Sequence, residues 1–189
     1  MFSGTTGHAQ ELLIGKEAVT EKKLAPDSVT DEKAAFYQRS PLENVSAAGS
    51  QAAAPEVPLL ARGPFDIYGK CFVDGTDIRA EIYIRSSESG TVFSSDDDDK
   101  EGDAADGYLD PGTPEEEREL ENDVSASNND ADGQDTSESW FNALASAQNI
   151  EGQVTAYAKR GTPPGPGNGL YGPGNRCLFH AWLLDQAGP

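Results

Sequence analysis

One stretch, residues 63–95, limits the fold more than any other part of this chain, because it alternates apolar and polar side chains over two long runs. A period of two is typical of a β-strand with one buried face. The runs meet at Asp74-Gly75, a pair that tolerates the positive φ angles of a tight hairpin turn. The stretch therefore predicts two antiparallel strands, and a shorter third strand after the turn at Glu88-Ser89-Gly90. The predicted apolar face consists of Phe65, Ile67, Gly69, Cys71, Val73, Ile78, Ala80, Ile82 and Ile84.

Two later stretches alternate in the same way, from Ile150 to Lys159 and from Arg176 to Asp185. The second is apolar on both faces, which is typical of a strand that is central or covered twice. An apolar cluster of Trp140, Phe141 and Leu144 is predicted to be buried by a sheet or a short helix. Six or more short strands separated by turns predict an all-β fold for residues 63–189, namely an antiparallel β-sandwich that is jelly-roll-like.

Residues 94–138 hold most of the net charge of −19, because they contain 18 Asp and Glu against Lys100 and Arg118. Such self-repulsion predicts a solvated insertion between strands. We expect one short helix inside the insertion, with Thr113 as N-cap and Pro114 in the first turn, ending by about Asn122. The negative field opposes nucleic acid as a partner, because phosphates would be repelled.

The acidic insertion also raises the hypothesis of a calcium site. An EF-hand loop places oxygen ligands at alternate positions before a glycine at the sixth position and ends with a glutamate at the twelfth. Both stretches that approach this pattern lack the final glutamate, since Tyr108 and Ser139 stand there, and a solvated acidic loop is the alternative. The candidate ligands are Asp97, Asp99, Glu101, Asp130 and Asp132. No other cofactor is predicted.

A ten-residue repeat occupies the N-terminal part of the chain, with units that begin at His8, Ala18 and Ser28. A unit this short buries little surface, so it becomes stable only by stacking or by association between chains. The Val-Thr-x-x-Lys-Leu decads resemble the stalk repeats of phage tail fibres and bacterial surface proteins, and this resemblance implies a self-associating, homotrimeric stem. Without this resemblance, the sequence of residues 1–39 is equally compatible with an extended or weakly helical tail.

Residues 40–62 are rich in Ala, Ser and Pro without a sustained period, and they predict a flexible linker before the head at 63–189. The head runs from GPFDIYGKC at Gly63, through TPEEERELE in the acidic part, to NRCLF near the end. This order of motifs resembles a family of uncharacterised actinobacterial proteins. The resemblance implies a β-rich head after a short repeat region, and it implies no biochemical activity for any residue.

The two cysteines of the chain, Cys71 and Cys177, lie in predicted strands near opposite ends of the head. Each shares its strand face with apolar residues, so both sulfurs are predicted to point into the core. A disulfide between them would close a loop of about 106 residues and stabilise the fold by roughly 4–5 kcal/mol. The alternative is two buried, reduced thiols. A bridge would indicate an oxidising compartment, and therefore an extracellular or cell-surface location.

No catalytic motif stands out. The two histidines, His8 and His180, are interpreted as structural, and Gly167–Gly172 matches GxGxxG without the strand and helix that a dinucleotide site requires. No stretch is apolar enough for a membrane span or resembles a secretory signal. We therefore expect a non-enzymatic surface or secreted interaction module. The alternative is a structural fibre or virion-associated head that binds a glycan or a surface protein, with Tyr83 and Tyr157 as the first candidates for stacking on sugar.

Overall fold

The computed structural model describes residues 36–96, 107–113, 116–127, 133–161 and 172–186, and within them it has eleven strands and one short 3₁₀ helix, Gln51–Ala53. The strands in chain order are β1 (Tyr37–Arg39), β2 (Glu43–Ser46), β3 (Val57–Arg62), β4 (Phe65–Asp74), β5 (Asp77–Ser86), β6 (Thr91–Ser95), β7 (Gly107–Leu109), β8 (Glu117–Ala126), β9 (Gln134–Leu144), β10 (Asn149–Lys159) and β11 (Arg176–Asp185). The all-β fold class predicted from the alternation is confirmed.

The strands form two antiparallel sheets that pack against each other. The large sheet has the order β1-β11-β10-β9-β6-β7, with β2 beside β1 on the same edge of β11. The small sheet has the order β3-β4-β5-β8. Apolar side chains from the inner faces of both sheets form one core, as expected for a sandwich.

The β4–β5 hairpin is the centre of the small sheet. Its register runs without a break from Phe65 opposite Ser86 to Asp74 opposite Asp77. Gly75, at the turn, has a φ of 61°, a left-handed conformation that glycine adopts without steric strain because it has no Cβ. The hairpin that the sequence predicts here is therefore present, and its inward-facing residues all reach the core.

The predicted disulfide is also present. Cys71 of β4 and Cys177 of β11 are bonded, with Cα atoms 5.8 Å apart. Because β4 belongs to the small sheet and β11 to the large one, the bridge crosses the interior and links the two layers. Both sulfurs point into the core, as the phase of each strand predicts.

Residues 40–62 differ from the flexible linker that their composition predicts. They contain β2, the 3₁₀ helix and β3, and Val57 and Leu59 are buried in the core. The strands β1 and β2 are three and four residues long, too short to show a period, and they are fixed by pairing with the distant β11. The folded domain therefore begins by Tyr37, inside the segment assigned to the stem, rather than at Gly63.

The helix predicted in the acidic insertion is wrong over its described part. Glu117–Ala126 is strand β8, which pairs with β5 and shifts register twice along its length. Leu120 and Val124 are fully buried, so burial and pairing override the local helix-start signals at Thr113. The insertion is likewise not one solvated excursion, because β7, β8 and the start of β9 lie within residues 94–138.

Candidate functional site

Three aromatic side chains lie in a row on the outer face of the large sheet: Trp140 of β9, Trp182 of β11 and Tyr37 of β1. The ring centroids of Trp140 and Trp182 are 5.3 Å apart and the rings meet edge to face, at 86°. The centroids of Tyr37 and Trp182 are 6.2 Å apart, with the rings tilted by 36°. Trp140 is 49% exposed, and the other two rings are half-buried. We call these three residues the aromatic row.

Strand alternation places the aromatic row outside the core. On β9 the neighbours of Trp140, Ser139 and Phe141, are buried between the sheets, so the tryptophan between them must point outward. On β11, Trp182 stands between the buried Ala181 and Leu183. The two tryptophans are thus held by strands whose other faces are fixed in the core, which makes their positions rigid.

Gln153 of β10 lies beneath the two tryptophans and positions one of them. It is opposite Trp140 on one side and opposite Trp182 on the other. The indole Nε1–H of Trp182 donates to Gln153 Oε1 at 3.0 Å. Strands two apart in a sheet are separated by about 10 Å, so rings with centroids 5.3 Å apart must lean toward each other over β10. The hydrogen bond holds the Trp182 ring in that orientation.

Polar side chains border the aromatic row within the same sheet face. Burial lowers the pKa of His180 below its ordinary value, and the charge of Arg39 lowers it further. The imidazole is therefore biased toward the neutral form, which both donates and accepts hydrogen bonds. The bordering residues are Asn142 and Glu151 in the cross-strand row on one side, Glu138, Thr155 and His180 in the row on the other, and Arg39 of β1 directly opposite Trp182.

A second exposed apolar group lies toward the β7 edge. Val92 of β6 is opposite Leu144 of β9 and opposite Tyr108 of β7, and all three side chains are exposed. Along β9 the polar side chain of Asn142 lies between Leu144 and Trp140, so this second group is separate from the aromatic row.

The outer face of the small sheet is different, because its aromatic residues are covered. Tyr68 and Tyr83 are cross-strand neighbours that stack with centroids 5.4 Å apart, and both are almost fully buried. Gln51 Nε2, from the segment before β3, donates to Tyr83 OH at 2.7 Å and to Glu81 Oε2 at 2.9 Å. The Nζ of Lys70 lies 4.8 Å from the Tyr83 ring centroid. The cluster is therefore packed and hydrogen-bonded within the domain, and its rings have almost no surface exposed for stacking.

Burial shifts the acid–base equilibria of that cluster. It raises the pKa of the Glu81 carboxyl, which accepts a hydrogen bond from Tyr83 OH. It also raises the pKa of Tyr68 and Tyr83, and hydrogen bonds to Glu117 and Glu81 respectively raise them further. Both phenols therefore stay protonated and act as donors to carboxylates.

Two further charged residues are buried, one between the two sheets and one on the large sheet. Glu121 of β8 faces the interior, where Ser139 Oγ donates to its Oε2 at 2.7 Å. Lys159 of β10 is fully buried and donates to the carbonyl oxygen of Gly172. Burial lowers the pKa of Lys159, and the nearby charge of Arg176 lowers it further. Each group has a protein partner, which is what a buried polar group requires for stability.

The sequence-predicted sites have mixed outcomes. The candidate calcium ligands Asp97, Asp99, Glu101, Asp130 and Asp132 all lie outside the described residues, so that hypothesis stays a prediction. Within the described residues, no group of three or more His, Cys, Asp or Glu side chains is arranged to hold a metal ion. Tyr83 is buried and so is not a stacking surface for sugar. Tyr157 is half-buried beside Thr136 and Leu178, outside the aromatic row.

The sequence predicts burial of Trp140 and Leu144 together with Phe141, and this prediction is wrong for the first two, which are 49% and 50% exposed. The aromatic row was missed for this reason. The sequence contains a signal for the exposure of Trp140. Ser139, Phe141 and Ala143 alternate with it along β9, so they lie on one face of the strand and Trp140 lies on the other. Residues flanking Trp140 on that face, such as Glu138 and Asn142, are polar and exposed. Reading the whole of β9 as one strand would have placed the tryptophan outside.

No protein-family model, curated protein or solved structure matches this chain. The described residues include no helix long and apolar enough to cross a membrane.

Proposed function

We propose that this domain is a non-catalytic interaction module that binds its ligand on the outer face of the large sheet, through the aromatic row. The observation that carries the proposal is the exposure of Trp140 beside the fixed ring of Trp182. Tryptophan and tyrosine are enriched at binding interfaces because they offer a large apolar area with few rotatable bonds. A row already ordered in the free protein loses little conformational entropy when a ligand binds.

Binding rather than catalysis is proposed because the buried carboxyl and phenol groups of the small sheet are hydrogen-bonded to other side chains of the protein. Glu81, Tyr68 and Tyr83 are on the small sheet, covered and bonded to one another or to neighbouring carboxylates. The aromatic row, in contrast, presents rings and hydrogen-bonding groups to solvent. We further propose an extracellular or cell-surface location, supported by the Cys71–Cys177 disulfide, because such bonds persist mainly in oxidising compartments.

A selection experiment tests the proposed function without assuming the ligand class. A random peptide display library and a glycan array are probed with the full chain and with its Trp140→Ala variant. Ligands that bind the wild type at least about tenfold more tightly than the variant would support the proposal, as expected for loss of a central aromatic contact. Selected ligands that bind both proteins equally would place the binding surface elsewhere and overturn it.

Tyr108→Ser is the matched control for that selection. Tyr108 is also an exposed aromatic residue on the large sheet, but it lies on β7, two strands away from β9. Its loss should leave the affinity of the selected ligands unchanged. An equal loss of affinity in both variants would show only general adhesion to apolar surface.

The fibre-head alternative is supported by a different observation, the ten-residue repeat that begins at His8. In this second proposal the N-terminal segment associates into a trimeric stem that presents several heads. The mass of the full chain in solution, compared with that of a chain beginning at Ala35, tests it. A trimer that becomes a monomer on shortening is expected, and two monomers would contradict it.

A further inference from the structure

We infer that the aromatic row binds a neutral glycan, with a pyranose ring stacked on Trp140 or Trp182. This inference rests on the proposed function and adds the chemical class of the ligand. The juxtaposition that carries it is a pair of indole rings, 5.3 Å apart at their centroids, set among amide, hydroxyl and carboxylate side chains on one rigid sheet face.

The rings suit the apolar side of a sugar. The face of an aromatic ring carries negative charge density and its edge carries positive, so the face attracts the weakly positive C–H groups on one side of a pyranose. Trp140 and Trp182 meet edge to face, so their planes form a corner instead of one flat surface. A corner of this kind contacts a sugar from two directions, which orients it.

The bordering groups suit the hydroxyls. Each sugar hydroxyl both donates and accepts, and it is best matched by a mixture of acceptors and donors. Glu151 and Glu138 supply carboxylates able to accept from two neighbouring hydroxyls, while Asn142 and His180 supply groups that donate as well as accept. Binding sites for small polar ligands typically combine aromatic walls with a few such polar groups.

Charge selects a neutral glycan over an anionic one. The chain carries a net charge of −19, and the carboxylates of Glu138 and Glu151 border the aromatic row, against the exposed guanidinium of Arg39 opposite Trp182. The excess of negative charge would repel an acidic polysaccharide. A second copy of this chain would meet the same repulsion, which disfavours the face as a self-association surface. A basic peptide is the competing ligand class, and the experiment is designed to separate it.

The two tryptophans make the test specific. They are the only tryptophans in the chain, and both belong to the aromatic row, so intrinsic tryptophan emission reports on this face alone. The full chain is titrated with cellohexaose, laminarihexaose, maltohexaose and chitohexaose, and with polygalacturonic acid and a Lys/Arg-rich peptide as charged probes. Calorimetry on the same samples gives an independent affinity.

We expect at least one neutral hexasaccharide to change the emission saturably, with an affinity that is insensitive to salt. Trp140→Ala should weaken that affinity by about tenfold or more. Trp140→Phe should retain part of it, because a ring remains, and Tyr108→Ser should retain all of it. Thermal melting of each variant establishes that it is folded.

Three outcomes would overturn the inference: no neutral hexasaccharide binds at millimolar concentration, binding is unchanged in Trp140→Ala, or only a charged probe binds. The last outcome, with Trp140 required, would leave the proposed function standing and refute only the glycan. Failure of every ligand to depend on Trp140 would refute both. The two claims therefore fail in distinguishable ways.

Discussion

The ring of Phe179 lies against the backbone of Gly69 on the facing sheet, so closely that a Cβ on residue 69 would come within 2.9 Å of the ring. Gly69 is on β4 and Phe179 on β11, and the contact therefore sets the local spacing of the two layers. The close-packed core accommodates the large ring of Phe179 on one sheet because Gly69, on the other sheet, has no side chain to clash with it.

Gly69→Ala is expected to destabilise the domain by about 1–3 kcal/mol, the usual cost of overpacking a core. Urea denaturation measures this cost. Gly49→Ala is the control, because a Cβ at residue 49 meets nothing within 4 Å. Combining Gly69→Ala with Phe179→Leu should cost less than the sum of the single changes, since the two residues are in contact. Simple additivity would contradict the proposed clash.

Adjacent residues of β9 should differ sharply in their effect on stability. Phe141 is 1% exposed, and Phe141→Ala should reduce the free energy of unfolding by about 3–5 kcal/mol through the lost burial and the cavity. Trp140 is 49% exposed, and Trp140→Ala should cost less than about 1 kcal/mol. Equal losses in the two denaturation curves would mean that Trp140 serves the fold, and would weaken its assignment to ligand binding.

The disulfide should account for a large share of the stability. Its two cysteines are separated by 106 residues in the chain, and cross-linking a loop of that size stabilises by roughly 4–5 kcal/mol in the chain-entropy model. A Cys71→Ala, Cys177→Ala double variant should lose about that amount relative to the oxidised wild type. Wild type treated with a reducing agent is the comparison. Melting curves that do not respond to reductant would argue against a bond in the native protein.

Glu81 should make stability depend on pH. Burial raises the pKa of this carboxyl in the folded state above its value in the unfolded chain. The folded state therefore binds the proton more tightly, and the contribution of Glu81 to stability is complete below the unfolded pKa and is lost as the pH rises through the folded one. In Glu81→Gln this loss is absent, so the variant should gain stability relative to wild type as the pH increases.

Denaturation of both proteins across the mildly acidic range, upward from the ordinary glutamate pKa, measures the difference. Glu138→Gln is the matched control, since it removes the same charge from an exposed position on the other sheet. A constant difference between wild type and Glu81→Gln at all pH values would refute the assignment of a raised pKa to Glu81.

The sequence by itself determined the long central strands. The period of two in β4, β5, β10 and β11 is a local property, because successive side chains of a strand must point to opposite faces. The same alternation predicts that Cys71 and Cys177 both point inward, but it left a disulfide and two reduced thiols as alternatives, and the packing of β4 against β11 decided between them. The all-β class follows from these strands alone.

Tertiary structure decided the elements whose local signals were weak or contradictory. The residues after Thr113 carry helix-start signals, yet Glu117–Ala126 is a strand, because pairing with β5 and burial of Leu120 and Val124 outweigh a propensity difference of well under 1 kcal/mol per residue. The strands β1, β2 and β3 lie at sheet edges. The first two pair with β11, which is far away in the sequence.

The aromatic row depends both on the local sequence and on the tertiary structure. Strand phase on β9 and β11 is enough to put Trp140 and Trp182 outside the core, but not to bring them together. Their contact requires β10 to lie between their strands, with Gln153 opposite both. That neighbour relation comes from strand order, and strand order is fixed by long-range pairing and by burial of the shared inner face, which no local pattern encodes.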